Sequence, residues 1–211
     1  MKRLLWIPLM LWHLQAPIYA QACQPGFLTE ASRHYNEPKL RIEVNKATRR
    51  LGLFHGLEDV LLLYTPVAIG GNAKDHSTGE IRNFGTPSGK YYIKRIVQNP
   101  WWYPPSWAEE TKPLKPGTDN HYGLWMAELC RDKRAANHGF SVSGDSKIRL
   151  HSTNEPASIG QDQTHGCVRL HPDIAEELFR FILCHYRLDE GKKNARGIVY
   201  PLREPILIEI K

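Results

Sequence analysis

Beyond Pro38 the chain is built of short apolar runs with turn residues between them. Leu40-Arg41-Ile42-Glu43-Val44 alternates strictly, the period-two pattern of a half-buried strand. Asn45 to Thr48 can turn the chain, and Leu51-Gly52-Leu53-Phe54 returns. Val60 to Tyr64 and Val67 to Ile69 follow at a spacing of about ten residues, as in a β-meander or sandwich. Gly70-Gly71-Asn72 opens a polar stretch that closes at Gly85-Thr86-Pro87-Ser88-Gly89, after which Lys90 to Val97 resumes strand character. Residues 99–116 hold Trp101, Trp102, Tyr103 and Trp107 among five prolines, which predicts a long structured loop that caps a core or edges a groove. Leu124 to Leu129, Lys147 to His151 and Pro205 to Ile210 predict further strands. The one convincing helix is 172–187, with Pro172 in its first turn, Asp173 near its amino end, and Ile174, Leu178, Phe181, Ile182 and His185 at helical spacing. The pattern as a whole predicts a mainly β fold: two packed, partly mixed sheets with one main helix at about 172–187.

The amino terminus changes the picture, because it reads as an export signal. Lys2 and Arg3 precede a largely apolar stretch from Leu4 to Leu14, and Ala20-Gln21-Ala22 supplies small residues for cleavage. The stretch is short for a bilayer and holds Trp12, His13 and Gln15, so no membrane anchor is expected after processing. Cys23 directly after Ala22 raises lipidation as a second reading, against which stands the lack of a leucine three positions ahead of it. The expected organisation is a signal peptide at 1–22, a linker at 23–38 broken by Pro25-Gly26 and Pro38, and a catalytic domain at 39–211.

Charge and cysteines add less. The chain carries 28 Lys and Arg against 22 Asp and Glu. Residues 1–22 hold two of those bases and no acid, so the remainder carries +4. That bias suits an anionic envelope polymer, and without clustered bases it argues against nucleic acid. The run Lys192-Lys193-Asn194-Ala195-Arg196 reads as a solvated loop. Among the four cysteines a Cys130–Cys184 bridge is one possibility, and small buried thiols are the other.

Candidate chemistry concentrates in Thr164-His165-Gly166-Cys167-Val168-Arg169, with His151-Ser152-Thr153 sixteen positions upstream of the cysteine. A thiolate is a strong nucleophile, and an imidazole on a neighbouring segment can take the thiol proton and return it to a leaving amine. Gly166 lets main-chain N–H groups approach a reacting carbonyl. The bland alternative is a buried cysteine in a glycine turn beside unrelated histidines. His151, His165 and Cys167 are each capable metal ligands, but their spacing lacks the paired motifs that set ligands on one face, so no metal and no cofactor is expected. His55, His76, His121, His138, His171 and His185 have no pairing that suggests chemistry.

These segments resemble the L,D-transpeptidase catalytic domain of bacterial cell-wall enzymes, whose signature joins a histidine to a Ser/Thr-His-Gly-Cys-hydrophobe-Arg/Asn motif. Ile69-Gly70, Thr86-Pro87-Ser88-Gly89-Lys90-Tyr91-Tyr92-Ile93 and Asn99 to Pro105 agree in order, so the likeness runs from about Leu40 to Lys211. Serine at 152 departs from the commoner glycine without touching nucleophile or base. The resemblance implies Cys167 as nucleophile, His151 as proton acceptor and donor, and the Ser152 carbonyl as the group that orients the imidazole. It implies an oxyanion held around Gly166 and Cys167, with Thr164 and His165 shaping the turn. Arg169 either holds a substrate carboxylate or braces the loop. By the same resemblance the substrate is a peptidoglycan tetrapeptide stem, cut between diaminopimelate and D-Ala in the periplasm or cell envelope. The acceptor is a second stem amine giving a 3→3 cross-link, with water or a lipoprotein lysine as alternatives; a non-catalytic envelope-binding module is the remaining reading. Carbapenems are expected to acylate the same thiol.

Overall fold

The computed structural model describes residues 26–28, 39–56, 59–136 and 144–211; the expected signal peptide and Cys23 lie outside them. Its strands are β1 (Leu40–Asn45), β2 (Arg50–His55), β3 (Val60–Pro66), β4 (Ile69–Gly70), β5 (Asn72–Lys74), β6 (Ile81–Asn83), β7 (Gly89–Gln98), β8 (Trp125–Cys130), β9 (Asp145–His151), β10 (Asp162–Thr164), β11 (Val168–Arg169), β12 (Lys192–Asn194) and β13 (Gly197–Ile210). A short helix α1 (Lys133–Ala136), a 3-10 turn at Pro156–Ser158 and the main helix α2 (Pro172–Tyr186) accompany them. The fold is therefore mainly β with one main helix, as the periodicity predicts.

Nine strands form a mixed sheet in the order β11-β9-β8-β7-β13-β1-β2-β3, with β12 paired to β13. Two two-stranded sheets, β10-β4 and β5-β6, lie beside it. Within the large sheet β1/β13 and β9/β11 are parallel and the remaining pairs antiparallel. Alternation decides which side of each strand is dry. In β1 the buried residues are Leu40, Ile42 and Val44, while Arg41 and Glu43 point outward. In β8 both faces are buried, so its apolar and polar residues divide by partner rather than by solvent.

Helix α2 covers one face of the sheet. Its Ala175, Leu178, Phe179, Ile182, Leu183 and Tyr186 are buried, and the Phe179 ring stacks on Trp125 at 6.2 Å between centroids. Burying each of the leucine, isoleucine and phenylalanine side chains contributes about 1.5–3 kcal/mol. The Tyr186 hydroxyl accepts from the Leu40 N–H at 2.8 Å, which ties the helix end to the start of β1. Leu28, in the segment expected to be a linker, is fully buried in the same core, and its N–H donates to Glu177 at 3.0 Å. Cys184 is disulfide-bonded and Cys130 is a free buried thiol, so the Cys130–Cys184 bridge does not form. The Cys130 sulfur instead donates to the Asp132 carbonyl at 3.1 Å on the face of β8 away from α2.

A bulge in β7 shapes that second face. Ile93 pairs with Leu129 and Arg95 with Glu128, so Lys94 is the inserted residue. The insertion re-aims Arg95 onto the side of the sheet that carries Glu128, where its Nε donates to the Glu128 carboxylate at 2.7 Å.

Candidate active site

The parallel pairing of β9 and β11 builds the site. Val168 stands opposite Leu150 and Arg169 opposite His151. Continuing that register by one residue sets Cys167 opposite Arg149. Leu150 and Val168 are buried in the core, so His151, Arg149, Cys167 and Arg169 share the other face. The cysteine and histidine α-carbons are then roughly 8 Å apart on the diagonal, from a strand spacing of ~4.8 Å and a rise of ~3.3 Å per residue. Cys167 is a free, half-buried thiol.

The turn before β11 is closed by its own threonine. Thr164 Oγ1 donates to the Cys167 carbonyl at 2.6 Å and accepts from the Gly166 N–H at 3.2 Å. Gly166 has φ +103°, a conformation that disfavours any side chain, so glycine is required there. A second glycine backs it. A Cβ on Gly70 would lie 2.9 Å from the Gly166 Cα, 2.7 Å from the Thr86 N, and against the Phe84 carbonyl. The cysteine turn is therefore packed backbone to backbone against the end of β4.

His151 is buried, and its Nδ1 hydrogen-bonds to the Ser152 carbonyl. A carbonyl only accepts, so Nδ1 carries the proton and Nε2 of the neutral ring is left basic. The Tyr122 ring meets the imidazole edge-on at 5.0 Å. Burial holds the His151 pKa down to about 3, helped by the nearby Arg169 and Arg149 guanidinium groups. Burial likewise raises the Cys167 thiol, against which work the Arg149 charge, a hydrogen bond from the Arg149 main-chain N–H, and Arg169. The resting pair is thus neutral thiol beside neutral imidazole, and ionisation of one must be coupled to protonation of the other.

Arg149 is held by Asp145 through two bonds, at 2.7 and 2.9 Å, and pairs across the sheet with Glu128. Glu128 also receives Arg196 at 2.9 Å. Neither Tyr122, Glu128 nor Arg149 was singled out by motif or spacing; strand register and a loop contact bring them to the site.

The other expected residues fall around the turn. The His165 ring lies flat on Trp107, 3.9 Å between centroids at 7°, and edge-on to Phe84. That stack ties the tryptophan loop to the cysteine turn, and burial lowers the His165 pKa. Arg169 Nη1 donates to Glu155 at 2.6 Å and to Ser158 Oγ at 3.3 Å, which braces the 155–158 turn, while its Nε is buried without a partner among the described residues. Ser152 N–H donates to Trp125 O at 2.8 Å. Among the described residues no cluster of three or more His, Cys, Asp or Glu could hold a metal ion, and no helix is long and apolar enough to cross a membrane.

Fold and site together define a mainly β domain that presents a thiol and a buried imidazole on one sheet face. The family model of the YkuD L,D-transpeptidase catalytic domain matches residues 39–199, and the chain belongs to that family. None of the curated protein sequences compared matches it. Among solved structures it is similar to L,D-transpeptidase 3 from Mycobacterium tuberculosis (11% identity, TM-score 0.48, 82% of this chain and 61% of that one). It is also similar to an L,D-transpeptidase from Mycobacterium smegmatis (14%, 0.43, 82% and 59%) and to Bd1075 from Bdellovibrio bacteriovorus (17%, 0.45, 83% and 48%). The chain spans about three fifths or less of the length of these structures.

Proposed function

We propose that the chain is an exported peptidoglycan L,D-transpeptidase that uses Cys167 as nucleophile and His151 as base and acid. The observation that carries this reading is the shared face of Cys167 and His151, with Nδ1 committed to the Ser152 carbonyl and Nε2 left basic. In the first step Nε2 takes the thiol proton as the sulfur attacks the carbonyl between diaminopimelate and D-Ala. The oxyanion would be held by the Cys167 N–H, with the Gly166 N–H shared between it and Thr164. The protonated imidazole then passes its proton to the departing D-Ala amine as the C–N bond breaks, leaving a thioester. An acceptor amine attacks the thioester, gives its proton to Nε2, and the thiol is restored as the 3→3 amide forms. Because His151 is buried among cations, imidazolium is a short-lived state, which favours proton return to the leaving group.

Incubation with defined tetrapeptide stems, followed by mass analysis, tests the reading. Cross-linked dimers and released D-Ala are expected from the wild type and neither from Cys167→Ala, a loss of at least about 10³-fold. Shortened monomers without dimers would move the assignment to an L,D-carboxypeptidase, and transfer to a lipoprotein lysine to an anchoring enzyme. Carbapenem exposure should add a stable mass to Cys167; an unmodified, folded wild type would count against the nucleophile.

A further inference from the structure

The tryptophan loop does two opposite things within three residues. Trp102 is buried, edge-on to His121 at 4.6 Å, and its main chain exchanges hydrogen bonds with Leu114 at 3.0 and 2.9 Å. Its neighbours Trp101 and Tyr103 face outward, 37% and 53% exposed, with rings 6.5 Å apart and inclined by 31°. They are nevertheless pinned. The Trp101 N–H donates to Arg196 O at 3.0 Å and the Tyr103 hydroxyl to Ala195 O at 2.9 Å. Buried Asn120 adds three bonds from Nδ2 to the carbonyls of Pro100, Leu114 and Lys115. Two large rings held rigidly in solvent cap no core and lose little entropy on binding.

We propose that Trp101 and Tyr103, with the cationic hairpin Lys192–Arg196, form a platform for the glycan strand of the polymer whose stem peptide reaches Cys167. The proposal rests on the transpeptidase reading for its substrate and on two independent features for its place. First, the apolar C–H face of a pyranose stacks on an aromatic face, and the indole N–H and phenol hydroxyl can bond its polar edge. Second, the 192–196 hairpin, to whose carbonyls both Trp101 and Tyr103 donate, carries Lys192 and Lys193 beside an Arg196 already held by Glu128, and no acid, which suits a polymer bearing carboxylates. The hairpin lies four to five strand spacings from β11, about 20 Å along the sheet and more than three extended residues span, so the sugar on the platform neighbours, on the same glycan strand, the one whose stem reaches the thiol.

Co-sedimentation with purified sacculi, and with glycan strands stripped of their stems, reads the platform directly. Wild-type protein is expected to bind both, and a Trp101→Ala/Tyr103→Ala double variant to bind each about tenfold more weakly, with Trp101→Phe retaining binding. On intact polymer the double variant should show a KM raised by about tenfold, while its turnover of a soluble tetrapeptide stays at the wild-type level. Unchanged binding and KM on polymer would overturn the proposal, as would an equal loss on soluble and polymeric substrates or binding that needs the stems. If the wild type turns over no stem peptide at all, the transpeptidase reading fails, and stripped-strand binding alone decides the platform.

Discussion

The two faces of β8, both dry, and of β9 beside it are held together by different physics. Toward α2 stand Trp125, Ala127, Leu129 and Leu150, all apolar and all part of the main core. On the opposite face stand Met126, Glu128, Cys130, Arg149 and His151, where Glu128 is shared by Arg95 and Arg196, and Asp145 holds Arg149. The first face depends on non-directional burial and accepts side chains of similar volume. The second depends on each charge keeping its partner, since an unpaired buried charge costs far more than the pair contributes. Burial alone does not separate a structural face from a chemical one; the polarity of what is buried does.

The sharpest way to break this comparison is to remove the carboxylate that the second face shares. Glu128→Leu is close in volume yet should destabilise by about 3–5 kcal/mol, because buried Arg95 and its neighbour Arg196 lose the carboxylate they share; urea unfolding measures it. A loss below about 1 kcal/mol would show that the two faces are alike.

Acid titration comes next. The native His151 pKa near 3 lies below the ordinary histidine value of 6.5, so the unfolded chain binds a proton that the folded one refuses. Stability from this group is complete above pH 6.5 and is lost as pH falls toward 3, by up to about 1.4 kcal/mol per pH unit. Urea midpoints measured from pH 7 to pH 5 should fall more steeply for wild type than for His151→Gln. Parallel slopes would mean that the imidazole is not held neutral.

Arg149→Met should shift the alkylation profile of Cys167 to higher pH, because the guanidinium works against the burial that raises this thiol. Peptide mapping by mass separates the Cys167 signal from that of Cys130, the other free thiol among the described residues. The smallest effect belongs to the apolar face: Leu150→Met should cost less than about 1.5 kcal/mol and leave that alkylation profile in place.

Much of the strand pattern was legible because one-sided burial leaves a period of two, as in β1, and helix α2 because its buried residues recur at helical spacing. The hairpin β5-β6 escaped notice because five of its six residues are exposed and no apolar alternation marks it. The first half of β13 escaped because Pro201 and Pro205 interrupt a run that nevertheless stays paired to β7 across an irregular register.

By itself the sequence determined the chemistry on offer: a thiol after a backbone-permissive glycine, a histidine at the end of a strand, and a threonine in the cysteine motif. Tertiary structure alone decided what surrounds them. Arg149 comes opposite the thiol through cross-strand register, Tyr122 meets His151 through a loop contact, and a bulge at Lys94 turns Arg95 onto Glu128. The reason is that hydrophobic periodicity records which side of a strand leaves water, whereas the identity of the neighbour there depends on pairing between residues far apart in the chain.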